Sequence, residues 1–271
     1  MHRRVAALPL LLALSATSLS AHDMFWRLTS YYVAPNTSIR LPVLNGTFSK
    51  SENSIEWARV AELSVTSPNG RTQIDSAQWD FRGDTTWLSY STGVAGTYVA
   101  GLSTKSTEFQ LDAKAFNQYL AEDGIPDILA ARKSDGSLQK PARERYSKHI
   151  KAIFQVGTAR SIAWSSALGY PAELVPLENP YTLKPGATMH FRCLVDGKPV
   201  ANQLVIVGGR AGVTGDVRLP TQSLRSNADG VVSVTVGRAG RWYAKFIHMQ
   251  RVDDGRVDYE SKWGTITFEI R

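Results

Sequence analysis

The sequence predicts a mainly β protein built from two Ig-like or transthyretin-like β-sandwich units with a helical insertion between them. Three observations carry this. Short runs rich in Val, Ile, Thr, Tyr and Trp recur through residues 22–105 and 179–271, separated by turn signals. Several of these runs alternate with period two, as half-buried strands do. Between them, residues 106–155 change composition and carry the apolar spacing of helices.

Residues 1–21 have the parts of a secretory signal peptide. His2, Arg3 and Arg4 form a basic start, Val5 to Leu14 an apolar run, and small residues lead to Ala21. That run is shorter than the ~18–20 residues of a membrane-spanning helix. The expectation is a periplasmic or secreted protein with no stable membrane insertion. Cleavage after Ala21 makes His22 the first residue; cleavage after Ser18 or Ser20 is the alternative. About 250 residues then remain, enough for one large domain or two ordinary ones. The formal net charge of +7 drops to about +5 without Arg3 and Arg4, and it is spread along the chain, which argues against nucleic acid. Cys193 is the one cysteine, so no internal disulfide forms. It alternates with Phe191 and Val195 and reads as a small buried hydrophobe.

The N-terminal sandwich is expected over 22–105. Its turns fall at Pro35-Asn36, Asn45-Gly46, Pro68-Asn69-Gly70, Arg82-Gly83-Asp84 and Val94-Ala95-Gly96. Ala61 to Ser67, Thr86 to Tyr90 and Gly96 to Leu102 read as strands. In the insertion, Asp112 caps a helix whose inner face is Ala115, Phe116, Tyr119 and Leu120, ending at Gly124. A second helix runs from Ile125-Pro126-Asp127 through Lys133. A third is expected from Pro141 to about Phe154, with Tyr146, Ile150, Ile153 and Phe154 inward and His149 at the surface. Residues 156–178 are a connector with strand content at Ala172 to Leu177. In the C-terminal unit, 179–271, strands are expected over Thr188–Val195, Gln203–Val207, Val231–Val236, Arg241–His248 and Lys262–Ile270.

No enzyme constellation stands out, and the chain reads as a non-enzyme. There is no Gly-x-Ser-x-Gly elbow and no Cys/His zinc spacing. Gly209-Arg210-Ala211-Gly212 has no following helix to make a phosphate cradle of it. Asp253-Asp254 sits in a turn beside Gly255 and reads as solvated.

Four stretches together carry a resemblance. His22-Asp23-Phe25-Trp26 follows the signal. Arg145-Tyr146-Ser147-Lys148 leads into Lys151-Ala152 and Val156-Gly157. Gly169-Tyr170-Pro171-Ala172-Glu173-Leu174-Val175-Pro176 runs on to Asn179-Pro180-Tyr181, Pro185-Gly186 and Asp196-Gly197-Lys198-Pro199. Last come Asp229-Gly230, Gly240-Arg241-Trp242, His248-Met249 and Glu260-Ser261-Lys262-Trp263. In this order they resemble the DUF4198 family of exported bacterial proteins. The resemblance implies a β-sandwich linked to nickel or cobalt uptake, with a membrane uptake transporter as partner. The C-terminal membrane helix that some nickel-transport relatives carry is not expected in this sequence.

The chemistry of the start can be argued separately. A first-residue histidine offers a metal its α-amine and its imidazole. A second imidazole would complete a T-shaped, three-nitrogen histidine brace, and nitrogen-rich sites suit Ni(II) or Cu(II). The second ligand is sought first in His248, which ends a strong strand and matches the His-Met position of the resemblance, then in His190, then in His149. Asp23 would bind the metal or orient His22, and Glu260 would reach the same end of the sandwich. The expected function is capture of a divalent ion, Ni2+ or Co2+, through the mature N-terminus. One alternative is a copper (Cu2+) redox enzyme using the same brace, favoured if aromatics such as Trp26, Tyr31, Tyr32, Trp57, Trp79 and Trp87 form a flat face beside it. The other is a sandwich module that binds a protein or glycan without metal.

Overall fold

The computed structural model describes residues 22–212 and 217–271; the expected signal peptide lies outside the described residues. The chain is mainly β and sandwich-like. It begins with β1 (Asp23–Trp26), β2 (Tyr32–Val33), β3 (Ser38–Gly46), β4 (Val60–Ser67), β5 (Gly70–Gln73), β6 (Trp79–Arg82), β7 (Thr85–Ser91), β8 (Gly96–Thr104) and β9 (Thr107–Leu111). Helices α1 (Ala113–Glu122) and α2 (Pro126–Ser134) lead into the long strand β10 (Ala142–Val156). There follow β11 (Ala172–Pro176), β12 (Ala187–Val195), β13 (Lys198–Pro199), β14 (Leu204–Ala211) and β15 (Val217–Arg218). The chain closes with β16 (Gln222–Arg225), β17 (Val231–Val236), β18 (Gly240–Arg251) and β19 (Tyr259–Ile270).

Residues from both expected units meet in one central sheet. Its spine runs β15-β14-β18-β19-β10-β8-β4-β5. The join is β10, which pairs in parallel with β19 from Glu144↔Tyr259 to Ala152↔Thr267 and antiparallel with β8 and β9. The central sheet is therefore a layer to which strands from both halves of the chain contribute. A sheet of β1, β3, β7 and β6 lies against one face of it. Helices α1 and α2 cover the far end of that face through Phe116, Tyr119, Leu120, Ile247, Met249 and Tyr259. A sheet of β11, β12, β13 and β17 covers the opposite face, where Phe191 meets Phe268 with ring centroids 5.7 Å apart. Cys193 is fully buried there, and burial pushes its thiol up to about 12.

The third helix expected at 141–154 is strand β10. Its inward residues Tyr146, Ile150, Ile153 and Phe154 imitate a helical stripe, but both faces of β10 are covered. Tyr146, Lys148, Ile150 and Ala152 face the helices and the first sheet; Ser147, His149 and Lys151 face the other way. A strand buried on both faces loses its alternating signature. His149 is accordingly buried, not at the surface, and its ring lies between the hydroxyls of Ser103 and Ser147, 2.9 Å from each. Burial lowers its pKa to about 4, so it is neutral at physiological pH.

The two helices form as the sequence predicts. The Asp112 carboxylate accepts the Ala115 N–H at 2.8 Å and caps α1. Gly124, with φ +80°, turns the chain out of α1, and a Cβ there would also meet Ile206 at 2.6 Å. Asp112→Ala is expected to cost about 1 kcal/mol, read as a lower urea midpoint at constant slope.

Candidate functional site

The start of the described chain is positioned by pairing. β1 lies antiparallel on β3 with Asp23 opposite Gly46. The chain then makes a tight turn, with the Thr47 N–H bonded to the Lys50 carbonyl at 2.9 Å. Gly46 is required by close approach, since a Cβ would sit 2.5 Å from the Lys50 oxygen. The Glu52 N–H returns to the Asn45 carbonyl at 2.9 Å. This carries the Glu52 carboxylate to His22, with Oε2 3.1 Å from Nδ1. The His22 side chain is 24% exposed, so the pair can be reached from solvent.

Beneath this pair lies a network of charged groups on the inner face of the central sheet. Lys148 donates to the His22 carbonyl, and Lys245 is ion-paired with Asp23. The Lys148 ammonium also lies 5.0 Å from the Trp263 ring and 5.5 Å from the Tyr146 ring. Burial brings Lys148 down to about 8, against the pull of Asp23 and Asp123. Burial also raises Asp123 to about 7; Asp23 adds to this, while Lys245 and Lys148 oppose it. Deeper still, Glu144 is fully buried. Its Oε1 accepts from Tyr119 at 3.1 Å and from Ser261, while Oε2 has no hydrogen-bond partner among the described residues. The Trp263 indole N–H donates to the Ser261 hydroxyl at 2.9 Å and holds it in place. Burial raises Glu144 to about 8 despite those bonds.

The elevated Glu144 gives a stability test. Its proton is held up to about pH 8 in the folded chain but only to its ordinary 4.5 when unfolded. Between those values the folded state binds more protons, so this residue's contribution to stability falls as pH rises. Glu144→Gln, which keeps the shape of the protonated acid, is expected to remove that loss. The wild type should lose thermal stability relative to the variant between about pH 4.5 and about pH 8. A parallel pH dependence of the two melting temperatures would refute a buried neutral Glu144.

The other residues proposed as metal ligands do not gather at His22. Asp23 is next to it, but its carboxylate is held by Lys245. His248 is three residues from Lys245 on β18, so strand alternation puts it on the opposite face of the central sheet. There its Nδ1 lies 3.0 Å from the Gln203 side-chain oxygen, and burial lowers its pKa. Glu260 shares that opposite face, 3.8 Å from Lys262. His190 is on β12 in the outer sheet, 2.7 Å from Glu178. A brace of His22 with His248 is therefore not formed, because a sheet separates the rings. Trp26, Tyr31 and Trp79 are buried, so they form no flat aromatic face. Among the described residues no group of three or more His, Cys, Asp or Glu is placed to hold a metal ion.

Sequence reasoning missed Glu52. Its only signal was the Asn45-Gly46 turn, which gains meaning once β1 is known to pair with β3. It also missed Glu144, which the expected third helix placed in the wrong type of element.

No curated protein matches the chain. Among solved structures it is similar to Escherichia coli alpha-2-macroglobulin activated by porcine elastase, at 9% identity and a TM-score of 0.25, over 91% of this chain and 20% of that one. It is similar also to Salmonella alpha-2-macroglobulin reacted with methylamine, at 12% identity and a TM-score of 0.25, over 91% of this chain and 15% of that one. The chain thus spans a fifth or less of these two proteins. The model of one family, described as a domain of unknown function, DUF4198, matches residues 19–250. With the match covering well over half of the chain, the protein belongs to the DUF4198 family.

Proposed function

We propose that this protein captures a divalent cation, nickel or cobalt, as cargo at its mature N-terminus, for delivery to a membrane uptake transporter. The supporting observation is the 3.1 Å separation of His22 Nδ1 and Glu52 Oε2. Metal bonds to nitrogen and carboxylate oxygen run about 2.0–2.2 Å, so two ligands at right angles lie about 3 Å apart. Nδ1 is also the ring nitrogen that can chelate together with the residue's own α-amine. Cleavage after Ala21 would free that amine and give an amine, imidazole and carboxylate set, with Glu52 in the place sought for a second imidazole. Without an ion, the same separation is a hydrogen bond between ring and carboxylate. The donor set is small and partly exposed, which suits an ion that is picked up and released.

The setting is proposed as periplasmic or secreted. No helix among the described residues is long and apolar enough to cross a membrane. The copper redox reading is less favoured, since its second imidazole, His248, lies across the sheet.

The intact mass of the exported protein, with and without added nickel, tests this reading. A chain starting at His22 that gains one nickel is the expected result. A chain starting at Leu19 or Ala21 has no free amine on His22 and would refute the proposed site.

A further inference from the structure

Strand β6 is the outer strand of the sheet β1-β3-β7-β6. Asp80, Phe81 and Arg82 are all exposed, as are Gly83 and Asp84 after them. The direction of its backbone groups follows from the ladder. A two-residue turn, Gly83-Asp84, joins β6 to β7, with Arg82 opposite Thr85 and φ +56° at Gly83. Such a hairpin closes on a hydrogen-bonded pair, so Arg82 and, two residues back, Asp80 turn their N–H and C=O groups to β7. Phe81 and Trp79 then turn theirs away from β7. The Trp79 N–H agrees with this, since it bonds back to the Ser76 carbonyl. The N–H and C=O of Phe81 are left at the open edge.

Phe81 itself is 52% exposed, and an apolar ring on an open edge strand is a template for pairing with another chain. Two other edges are blunted. The Gln222 side chain closes β17, accepting from the Thr235 N–H at 3.3 Å and donating to the Thr235 carbonyl at 2.9 Å. Strand β5 offers only Gly70, Arg71, Thr72 and Gln73. On β6, opposite charges flank the ring. Arg40 holds the Asp80 carboxylate at 2.6 Å while lying 4.8 Å from the Trp87 ring. The Arg82 guanidinium has no hydrogen bond or ion pair among the described residues.

We propose that this edge is a self-association surface, on which a second copy of the chain adds its own β6 antiparallel about a two-fold axis at Phe81. A strand paired with its own copy stands opposite itself at such an axis. An axis at Phe81 sets Asp80 opposite Arg82 of the second copy, and Arg82 opposite its Asp80. An axis at Asp80 or at Arg82 would oppose like charges, which destabilises a sheet. At Phe81 the outward N–H and C=O groups of the two copies exchange a pair of hydrogen bonds, and the two rings meet on one face. On the other face, Arg82 of the second copy extends the row of Arg40 and Asp80. The union turns two four-stranded sheets into one, with β1 at each outer end. Each His22 then lies at the far edge of the joined sheet, and the surface stands independently of the metal reading.

Sedimentation equilibrium of the metal-free mature protein, from about 10 μM to about 1 mM, tests the surface, because a short edge strand buries less than a standard interface and binds weakly. A reversible monomer–dimer equilibrium is expected. Arg82→Asp sets carboxylate against carboxylate, and Asp80→Arg sets guanidinium against guanidinium. Symmetry places each fault twice, so either variant alone should associate at least about tenfold more weakly. An equal mixture of the two variants brings opposite charges together again and should associate nearly as the wild type does. Both positions are exposed, and the pair of Asp80 with Arg40 is a surface pair of small worth, so the variants should melt close to the wild type. A monomer throughout the range, dimerisation that either variant retains, or a mixture that associates no better than its components overturns the proposal. No metal is present, so none of these outcomes bears on the His22 site.

Discussion

Glu173→Ala is expected to cost about 3–5 kcal/mol, because it breaks a buried ion pair from one side. Glu173 and Lys151 lie between the central sheet and the outer sheet of β11 and β12, with their charged atoms 2.9 Å apart and side chains 2% and 3% exposed. The carboxylate also accepts the backbone N–H groups of Leu168 at 2.8 Å and Tyr170 at 2.7 Å. Burial works to raise the Glu173 pKa, but Lys151 and those two N–H groups outweigh it and hold it low. The alanine variant would leave a buried ammonium and two buried N–H donors without their acceptor. Urea denaturation should show the loss as a lower midpoint with an unchanged slope. Lys151→Met combined with Glu173→Leu should recover part of it, since an apolar pair leaves no buried charge behind. A loss below about 1 kcal/mol for Glu173→Ala would mean that water replaces the carboxylate in the folded chain.

Removal of the His22 ring is the larger functional test. His22→Ala, with the cleavage site preserved and checked by intact mass, is expected to weaken nickel binding at least tenfold, or about 1.4 kcal/mol or more. Glu52→Gln should weaken it by a similar factor, because the amide keeps the shape but loses the charge. His248→Ala should leave the affinity unchanged, since that ring lies on the other face of the central sheet and contacts Gln203. Fluorescence titration with nickel reads all three, and Trp26 in β1 supplies a buried reporter close in sequence. Normal affinity in His22→Ala would sink the N-terminal site. A loss in His248→Ala with none in Glu52→Gln would restore the brace and require the two rings to meet in another arrangement of the chain.

Strand runs with clear alternation were legible in the sequence. Val231–Val236 forms β17 as its alternating valines predict, with Val232, Val234 and Val236 inward. The Asp112 cap and the inner face of α1 were legible because they depend on neighbours three and four residues away. Strand β10 was not, since it is covered on both sides and its residues answer to two different layers. Glu144, Lys148 and Lys151 fall within the expected third helix, yet each is buried in a strand. Their partners are residues more than twenty positions away, such as Glu173 and Ser261.

The sequence by itself determined that the chain is mainly β, that helices α1 and α2, two of the three expected, sit in its middle, and that Cys193 is a buried hydrophobe. Those properties are written in turn residues, caps and local periodicity. Tertiary structure alone decided which side chains meet. Strand pairing of β1 with β3 brought Glu52 to His22, and the parallel pairing of β10 with β19 joined strands from both halves of the chain in one sheet. Alternation along β18 then separated His22 from His248, because a shift of one residue in a strand moves a side chain to the other face. Such long-range register follows from the sum of many burial contacts, and no single stretch of sequence carries it.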